Sequence, residues 1–389
     1  MFRPDGTLLT ASRDGLARLW LPPPEKFWFR EFTNPVEVMA VAISPDGRLV
    51  ATGSGHDAWL WDVQTGESKK SLRAVNEDDS HRGDVWAVAF SRDGRFLLTE
   101  GREGTARLWD VETRRPVEFA PGKPAAMDLG FRGRTGAFSA DGRFLLTGGG
   151  NADGEKPAGG AWLLDFPISP AGPQRDNPLV QGEVVWQVAF SPDQRTAAIA
   201  SGDETARLWD LERRRPFGPA LPHQNRVVGL DFSPDGRFLA TASTDKTARV
   251  WNAATGEADG EPFDHIGAVW GVAWADERTL VTACRDGRVR LWDVLTRTPI
   301  GPPWVHEGIV WAVACHPASR SVLTASDDKT ACLWRIPPPW TNDAKRVRLC
   351  VEVSTGLELD GLGVVHWLDA PSWESRRQAL KELGGPPIP

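Results

Sequence analysis

Apolar positions in this chain gather into short runs separated by polar turns, and the runs recur in a fixed order. A first run such as V-W-A-V-A-F (85–90) leads into a turn, of which S-P-D-G (44–47 and 233–236) is the commonest spelling. A second run such as R-F-L-A-T-A-S (237–243) follows, then a turn such as T-D-K (244–246), then T-A-R-V-W-N (247–252). Short β-branched and aromatic runs bounded by such turns predict strands. Pro early and Gly late in the turns predict tight β-turns that join the strands as antiparallel hairpins. Behind the third run lies a stretch rich in Pro and Gly, as in R-R-P-F-G-P-A-L-P-H (214–223) and R-T-P-I-G-P-P-W-V-H (297–306). Proline cannot donate to a ladder on both sides, so this stretch is expected as the outer edge strand of a four-stranded antiparallel sheet.

The third run ends on Trp20, Trp61, Trp109, Leu164, Trp209, Trp251, Trp292 and Trp334, at separations of 41, 48, 55, 45, 42, 41 and 42 residues. A period near 42 predicts the blades of an all-β propeller, one large repetitive domain rather than two ordinary ones. Nineteen Trp and no Tyr fit one residue type reused at one structural position. With these motifs the chain resembles the WD-repeat (tryptophan-aspartate repeat) β-propeller family over about residues 1–340. The resemblance implies a hydrogen-bonded network in each blade: a His before the innermost strand, a Thr or Ser on the second, an Asp in the next turn and the Trp of the third. His223, Thr241, Asp245 and Trp251 match it, as do His265, Thr282, Asp286 and Trp292, and His306, Thr324, Asp328 and Trp334. The unit ending at Trp109 has His81 and Thr99 but Glu103 in place of Asp. The unit ending at Trp209 keeps Asp203 yet has Val180 and Ile199 at the His and Thr places. The unit ending at Leu164 lacks His, Asp and Trp, carries a Gly-rich insertion (148–160), and is expected to be the least stable.

The first unit starts inside its own pattern, because F-R-P-D-G (2–6) stands where the S-P-D-G turn belongs and no inner strand precedes it. Two closures fit: eight blades with an incomplete first one, or seven with the leading hairpin left over. The marginal stability of a free hairpin in water favours eight. The chain also resembles the terminal propeller of large bacterial multidomain proteins in which WD repeats follow a protein kinase domain, and a truncated first unit suits a fragment of such a chain. No kinase motif occurs in these residues. The propeller is expected over 1–340 and a C-terminal extension over 341–389. There R-V-R-L-C-V-E-V (346–353) alternates as an edge strand of the last blade would, with a short helix as the other reading. Residues 372–383 predict a helix with Ser372 as N-cap and Trp373, Leu380 and Leu383 on one face, packed on the propeller's side.

The balance of 45 basic against 52 acidic residues, a net charge of −7, argues against a nucleic-acid partner. No stretch approaches the roughly 20 apolar residues that span a bilayer, and the opening residues lack an export pattern, so a cytoplasmic protein without membrane contact is expected. Cys284, Cys315, Cys332 and Cys350 lie far apart without a C-x-x-C pair, which predicts free, mostly buried thiols and no metal site or cofactor.

A hydroxyl, a His and an Asp also suggest nucleophilic catalysis. An enzyme, however, needs one such trio in one pocket, and here the trio recurs blade by blade at fixed offsets from a Trp, as a buried structural network would. The resemblance implies instead that partners bind on the face carrying the Asp turns, at three positions per blade: the third and fifth residues after the His and the residue before the turn Asp. The fifth place holds Met39, Trp86, Trp186, Val228, Trp270 and Trp311, the third Glu37, Asp84 and Glu183, and the last Arg13, Arg102 and Arg285. Trp and Arg are enriched at binding hot spots, so Trp86, Trp186, Trp270 and Trp311, with Asp84, Glu183, Arg102 and Arg285 around them, are the expected partner-binding residues of a scaffold. The blander reading takes V-W-x-V-A as a spelling copied with the repeat. Arg107, Arg207 and Arg249 of the T-A-R runs are expected in solvent. The alternatives are a propeller enzyme or small-ligand receptor using the central channel, and a plain structural spacer. The partner protein stays unnamed at this stage, and another domain of a longer chain would serve as one.

Overall fold

A computed structural model describes residues 8–11, 17–20, 28–72, 81, 83–120, 123–124, 126–128, 133–150, 159–166, 179, 183–336, 348–349, 352–353, 356–359 and 365–382. Each repeat folds as an antiparallel meander. In blade 1 it runs Val38–Ile43, Leu49–Ser54, Asp57–Asp62 and Ser68–Leu72 in spatial order. The turns fold as their sequences require: Gly47 takes a positive φ of 69°, and the Ser44 hydroxyl bonds Asp46 and accepts the Leu49 N–H.

Blades 2 to 7 begin on the inner strands Val85–Phe90, Gly133–Phe138, Val185–Phe190, Val227–Phe232, Val269–Trp274 and Val310–His316. Each inner strand lies beside the next, and that of blade 7 returns to that of blade 1, so the ring closes at seven. Blade 7 takes its outer strand from the other end of the chain: Trp28–Thr33 pairs antiparallel with Thr330–Arg335, Thr33 opposite Thr330 and Trp28 opposite Trp334. Of the two closures open in the sequence, seven is the one built. The leading hairpin, Leu8–Ala11 with Ala17–Trp20, pairs only with itself among the described strands and adds no eighth blade.

The ring, Trp28–Arg335, is one compact unit, and the leading hairpin falls with Ile336–Pro389 in a second. In that second unit Arg348–Leu349 and Glu352–Val353 are helical, not an edge strand. The edge expected there is occupied by Trp28–Thr33, and a 2.6 Å bond from Arg348 Nε to Glu352 Oε1 suits helical spacing. The terminal helix spans Ala370–Glu382, two residues earlier than expected, because Asp369 and not Ser372 caps it: the Asp369 carboxylate accepts the Ser372 N–H at 2.8 Å. Trp373 Nε1 donates to the Val353 carbonyl, and Leu380 packs with Leu349, while Leu383 lies outside the described residues. No helix among the described residues is long and apolar enough to cross a membrane.

The core lies between blades rather than inside one layer. One cluster joins Phe32, Leu323 and Leu333 of blade 7 to Val38, Val50 and Trp61 of blade 1, and another joins Ala242 and Val250 of blade 5 to Val269 and Trp292 of blade 6. Both faces of a blade are therefore covered, which overturns one expectation: Arg107 is buried, and Arg207 and Arg249 are half-buried rather than solvated. Blade 3, expected to be the least stable, shows among the described residues three strands and a single bridge from Ala161 to Leu179 where an outer strand would pair.

One buried position breaks the repeat. After the Thr place on the second strand stand Gly53, Gly148, Ala200, Ala242, Ala283 and Ala325, but blade 2 has Glu100. It is fully buried, and its carboxyl oxygens make no hydrogen bond of good geometry among the described residues, the Thr147 hydroxyl and the Thr135 backbone being the polar groups beside it. Room comes from Gly136 on the next blade, where a Cβ would come within 2.5 Å of Glu100 Oε1. Burial pushes this carboxyl well above its ordinary pKa, so the folded protein holds a proton that the unfolded chain releases above pH about 4.5. Stability therefore falls as pH rises past that point. The isosteric Glu100→Gln protein should gain on the parent as pH rises above about 4.5, read as urea midpoints; parallel pH profiles would refute it.

Candidate functional site

Every inner strand carries a β-bulge at the same place. Val38 and Ala40 pair with consecutive residues Ser54 and Gly53, so Met39 is the extra residue. Trp86, Arg134, Trp186, Val228, Trp270 and Trp311 are the extra residues of blades 2 to 7 in turn. A bulge residue is left out of the ladder and its side chain is re-aimed. All seven line one cavity of about 410 Å³ at the mouth of the channel.

Inside that mouth the rings of Trp186 and Trp270 lie 6.1 Å apart, and those of Trp270 and Trp311 4.8 Å apart at 63°. The Arg134 guanidinium sits between two indoles, 4.4 Å from the Trp86 ring and 4.1 Å from that of Trp186, within cation–π range of both. Trp311 donates its indole N–H to Asp327. Arg102, 5.7 Å from the Trp86 ring, and Arg285 are exposed on the rim, as is Glu183; Asp84 is half-buried there. The four rim residues are not part of the cavity lining. Arg13 lies outside the described residues.

Sequence reasoning missed Arg134. Its blade has no Trp at the fifth place and no His from which to count, but the strand G-R-T-G-A-F (133–138) ends in the same A-F as V-W-A-V-A-F (85–90), and that offset would have found it.

Away from the mouth, the residues assigned to the internal network are placed as follows. In blade 5 His223 Nδ1 lies 2.9 Å from Asp245 and Nε2 2.7 Å from the Thr241 hydroxyl, which also accepts the Trp251 indole N–H at 2.8 Å. In blade 7 His306, Asp328, Thr324 and Trp334 repeat this at 2.8, 2.7 and 2.7 Å. Blade 2 achieves the same with the longer carboxylate: Glu103 bonds His81 and accepts the Thr105 hydroxyl at 2.6 Å.

Blade 6 does not follow the expected scheme. His265 and Trp292 meet Thr282, but Asp286 bonds Arg290 at 2.6 Å, and His265 Nδ1 turns to the Phe263 carbonyl at 2.9 Å. In blades 5 and 7 Thr247 and Thr330 donate to the turn Asp, whereas the corresponding residue of blade 6 is Arg288, so Asp286 is left to an arginine. In blade 4, with Ile199 at the Thr place, the buried Trp209 Nε1 has no acceptor among the described residues; Val180 lies outside them. In blade 1 Asn34 does the work of His, accepting the Thr52 hydroxyl at 2.8 Å and donating to the Phe32 carbonyl at 2.9 Å.

Burial opposes ionisation of Asp245 and Asp328, yet hydrogen bonds from His223 and His306, from the following threonines and from backbone N–H groups outweigh it and hold both carboxyls well below the usual range. Glu103 is brought down to about 2 in the same way, through His81 and Thr105. These hydroxyls and imidazoles are fully engaged with one another, which is how buried polar groups escape their desolvation cost.

A model of the WD domain, G-beta repeat, matches residues 29–62, 72–110, 180–210, 220–252, 262–293 and 303–335, just over half of the chain. The chain belongs to the WD-repeat family. The matched segments skip blade 3, which lacks the network His, Asp and Trp. Among curated relatives, WD repeat-containing protein 1 of Mus musculus is 33% identical over 115 residues, covering 29% of this chain and 18% of that protein. The periodic tryptophan protein 2 homolog of Schizosaccharomyces pombe is 32% identical over 108 residues, covering 26% and 12%. Actin-interacting protein 1 of Drosophila melanogaster is 34% identical over 117 residues, covering 30% and 19%. The matches span less than a fifth of each relative, and all three are eukaryotic, so they lend nothing to the likeness with bacterial kinase-linked propellers.

Burial lowers the His265 pKa from 6.5 to about 4. Between those values the unfolded chain takes up a proton that the folded WD ring refuses, so this His costs stability as pH falls from 6.5 to about 4. His265→Asn should reproduce the Asn34 arrangement, with one bond to the hydroxyl and one to the carbonyl two residues back. Relative to the parent it should gain about 3 kcal/mol across that pH interval in chemical denaturation. A constant difference between the two proteins would contradict this.

Proposed function

We propose that this chain is a protein-interaction scaffold whose Trp-lined channel mouth grips a peptide or loop of a partner protein. The observation that carries this reading is the convergence of seven bulge residues, four of them Trp and one Arg, on a single cavity. A bulge residue is needed neither for the ladder nor for the cores between blades, so indoles gathered there are available for contact. Large aromatics spend little conformational freedom on binding and dominate interface energetics. Apart from Arg134, the cavity lining has no ionisable side chain, which favours docking over a channel enzyme or small-ligand receptor.

Because this fold serves many functions, the site rather than family membership carries the reading. The Drosophila relative is named for interacting with actin; the similarity, over less than a third of this chain, suggests a protein partner without naming it. A regulatory part of a larger bacterial signalling protein remains within this proposal, with a segment of the same polypeptide as occupant.

Replacing Trp186 and Trp270 together by Ala should weaken partner capture on the order of a hundredfold, measured by pull-down and titration, while leaving Tm nearly unchanged. Capture that survives would move the site off this face.

A further inference from the structure

The ring contains its own precedent for what an indole at the mouth binds. In blade 7 the Trp311 N–H goes to the carboxylate of Asp327, the residue just before the turn Asp328. The corresponding residues of blades 4 and 6 are Gly202 and Arg285, and there the buried indole nitrogens of Trp186 and Trp270 have no acceptor among the described residues. An indole N–H is a donor only, and left unmatched it carries a desolvation cost that an incoming acceptor would remove. The geometry at blade 4 shows where that acceptor belongs: a Cβ on Gly202 would stand 3.6 Å from Trp186 Nε1, in ordinary contact, so a carboxylate carried there reaches the ring nitrogen. Positive charge lies against the first of these indoles, from Arg134 held 4.1 Å from the Trp186 ring, and in the blade of Trp270 the residue before the turn Asp is itself a cation, the exposed Arg285. Asp84 and Glu183 share the rim, so any preference for an anion is local, through donors in contact, and not a long-range field.

We infer that the mouth takes an acidic segment of a partner protein, whose carboxylates occupy at Trp186 and Trp270 the place that Asp327 occupies at Trp311. This rests on the docking reading above and adds the chemistry of the occupant.

The test uses the ring to compete with its own ligand. Gly202→Asp combined with Arg285→Asp supplies both carboxylates in cis, and Gly202 is outside the left-handed region, so its backbone accepts a side chain. The full chain is immobilised and exposed to a pool of random hexapeptides, acetylated and amidated so that only side chains carry charge. The parent protein should retain peptides enriched in Asp and Glu, and the double variant should lose that enrichment while melting no lower than the parent. An acidic peptide chosen from the retained pool should bind the variant on the order of a hundredfold more weakly, about tenfold for each of the two charge-assisted hydrogen bonds lost. Retention without acid enrichment, or enrichment that persists in the variant, overturns this inference and leaves the docking reading standing. Retention no greater than that of the Trp186→Ala, Trp270→Ala protein overturns both.

Discussion

The pairing of Trp28–Thr33 with Thr330–Arg335 is the constraint on which the molecule depends. Neighbouring inner strands pack side by side rather than sharing a ladder, so the ring is held by apolar clusters between blades and by a few side chains that reach across. Thr135 accepts the Val188 N–H, Gln187 the Leu230 N–H and Asp231 the Trp274 N–H, each across a blade boundary. Such contacts hold only if each blade has a neighbour on both sides. The closing strand provides this by completing blade 7 and, through Phe32, packing it onto blade 1. Until it docks, two blades would each expose a hydrophobic face.

The internal networks show how much variation such a frame tolerates. The Thr hydroxyl that joins imidazole to indole is the common element in blades 2, 5, 6 and 7, and the groups around it are replaceable. Glu103 reaches as far as the usual Asp, Asn34 stands in for a His, and blade 6 redirects both His265 and Asp286 to other partners. In blade 4, where the hydroxyl itself is lost to Ile199, the network indole of Trp209 has no acceptor among the described residues. A buried donor can change partners at little cost, but losing its acceptor outright is expensive.

Much of this was legible in the sequence, because a repeated strand pattern and a Trp at fixed intervals depend on local chemistry alone. What escaped it was set by relations between distant residues. The count of seven is decided by a strand at 28–33 pairing some 300 residues away, which no local pattern at 346–353 could reveal. Asp286 matched the network by position but was diverted by Arg290, because the intervening Thr is Arg288. The burial of Arg107 follows from neighbouring blades covering both faces of its strand. The four tryptophans could be placed in the sequence, but not the bulge that turns them into the channel, since a bulge is a property of two paired strands. Arg134 was overlooked because it shares the geometry of those tryptophans without sharing their identity.

The bulge also separates what the protein must keep from what it can change. A residue excluded from the ladder and from the interblade cores can be exchanged without retuning its neighbours, and the ring offers seven such sites pointing into one shared space. Methionine, valine, arginine and tryptophan already occupy them side by side. The mouth therefore behaves as a seven-character word written on an invariant support, in which recognition can drift one letter at a time while folding stays untouched.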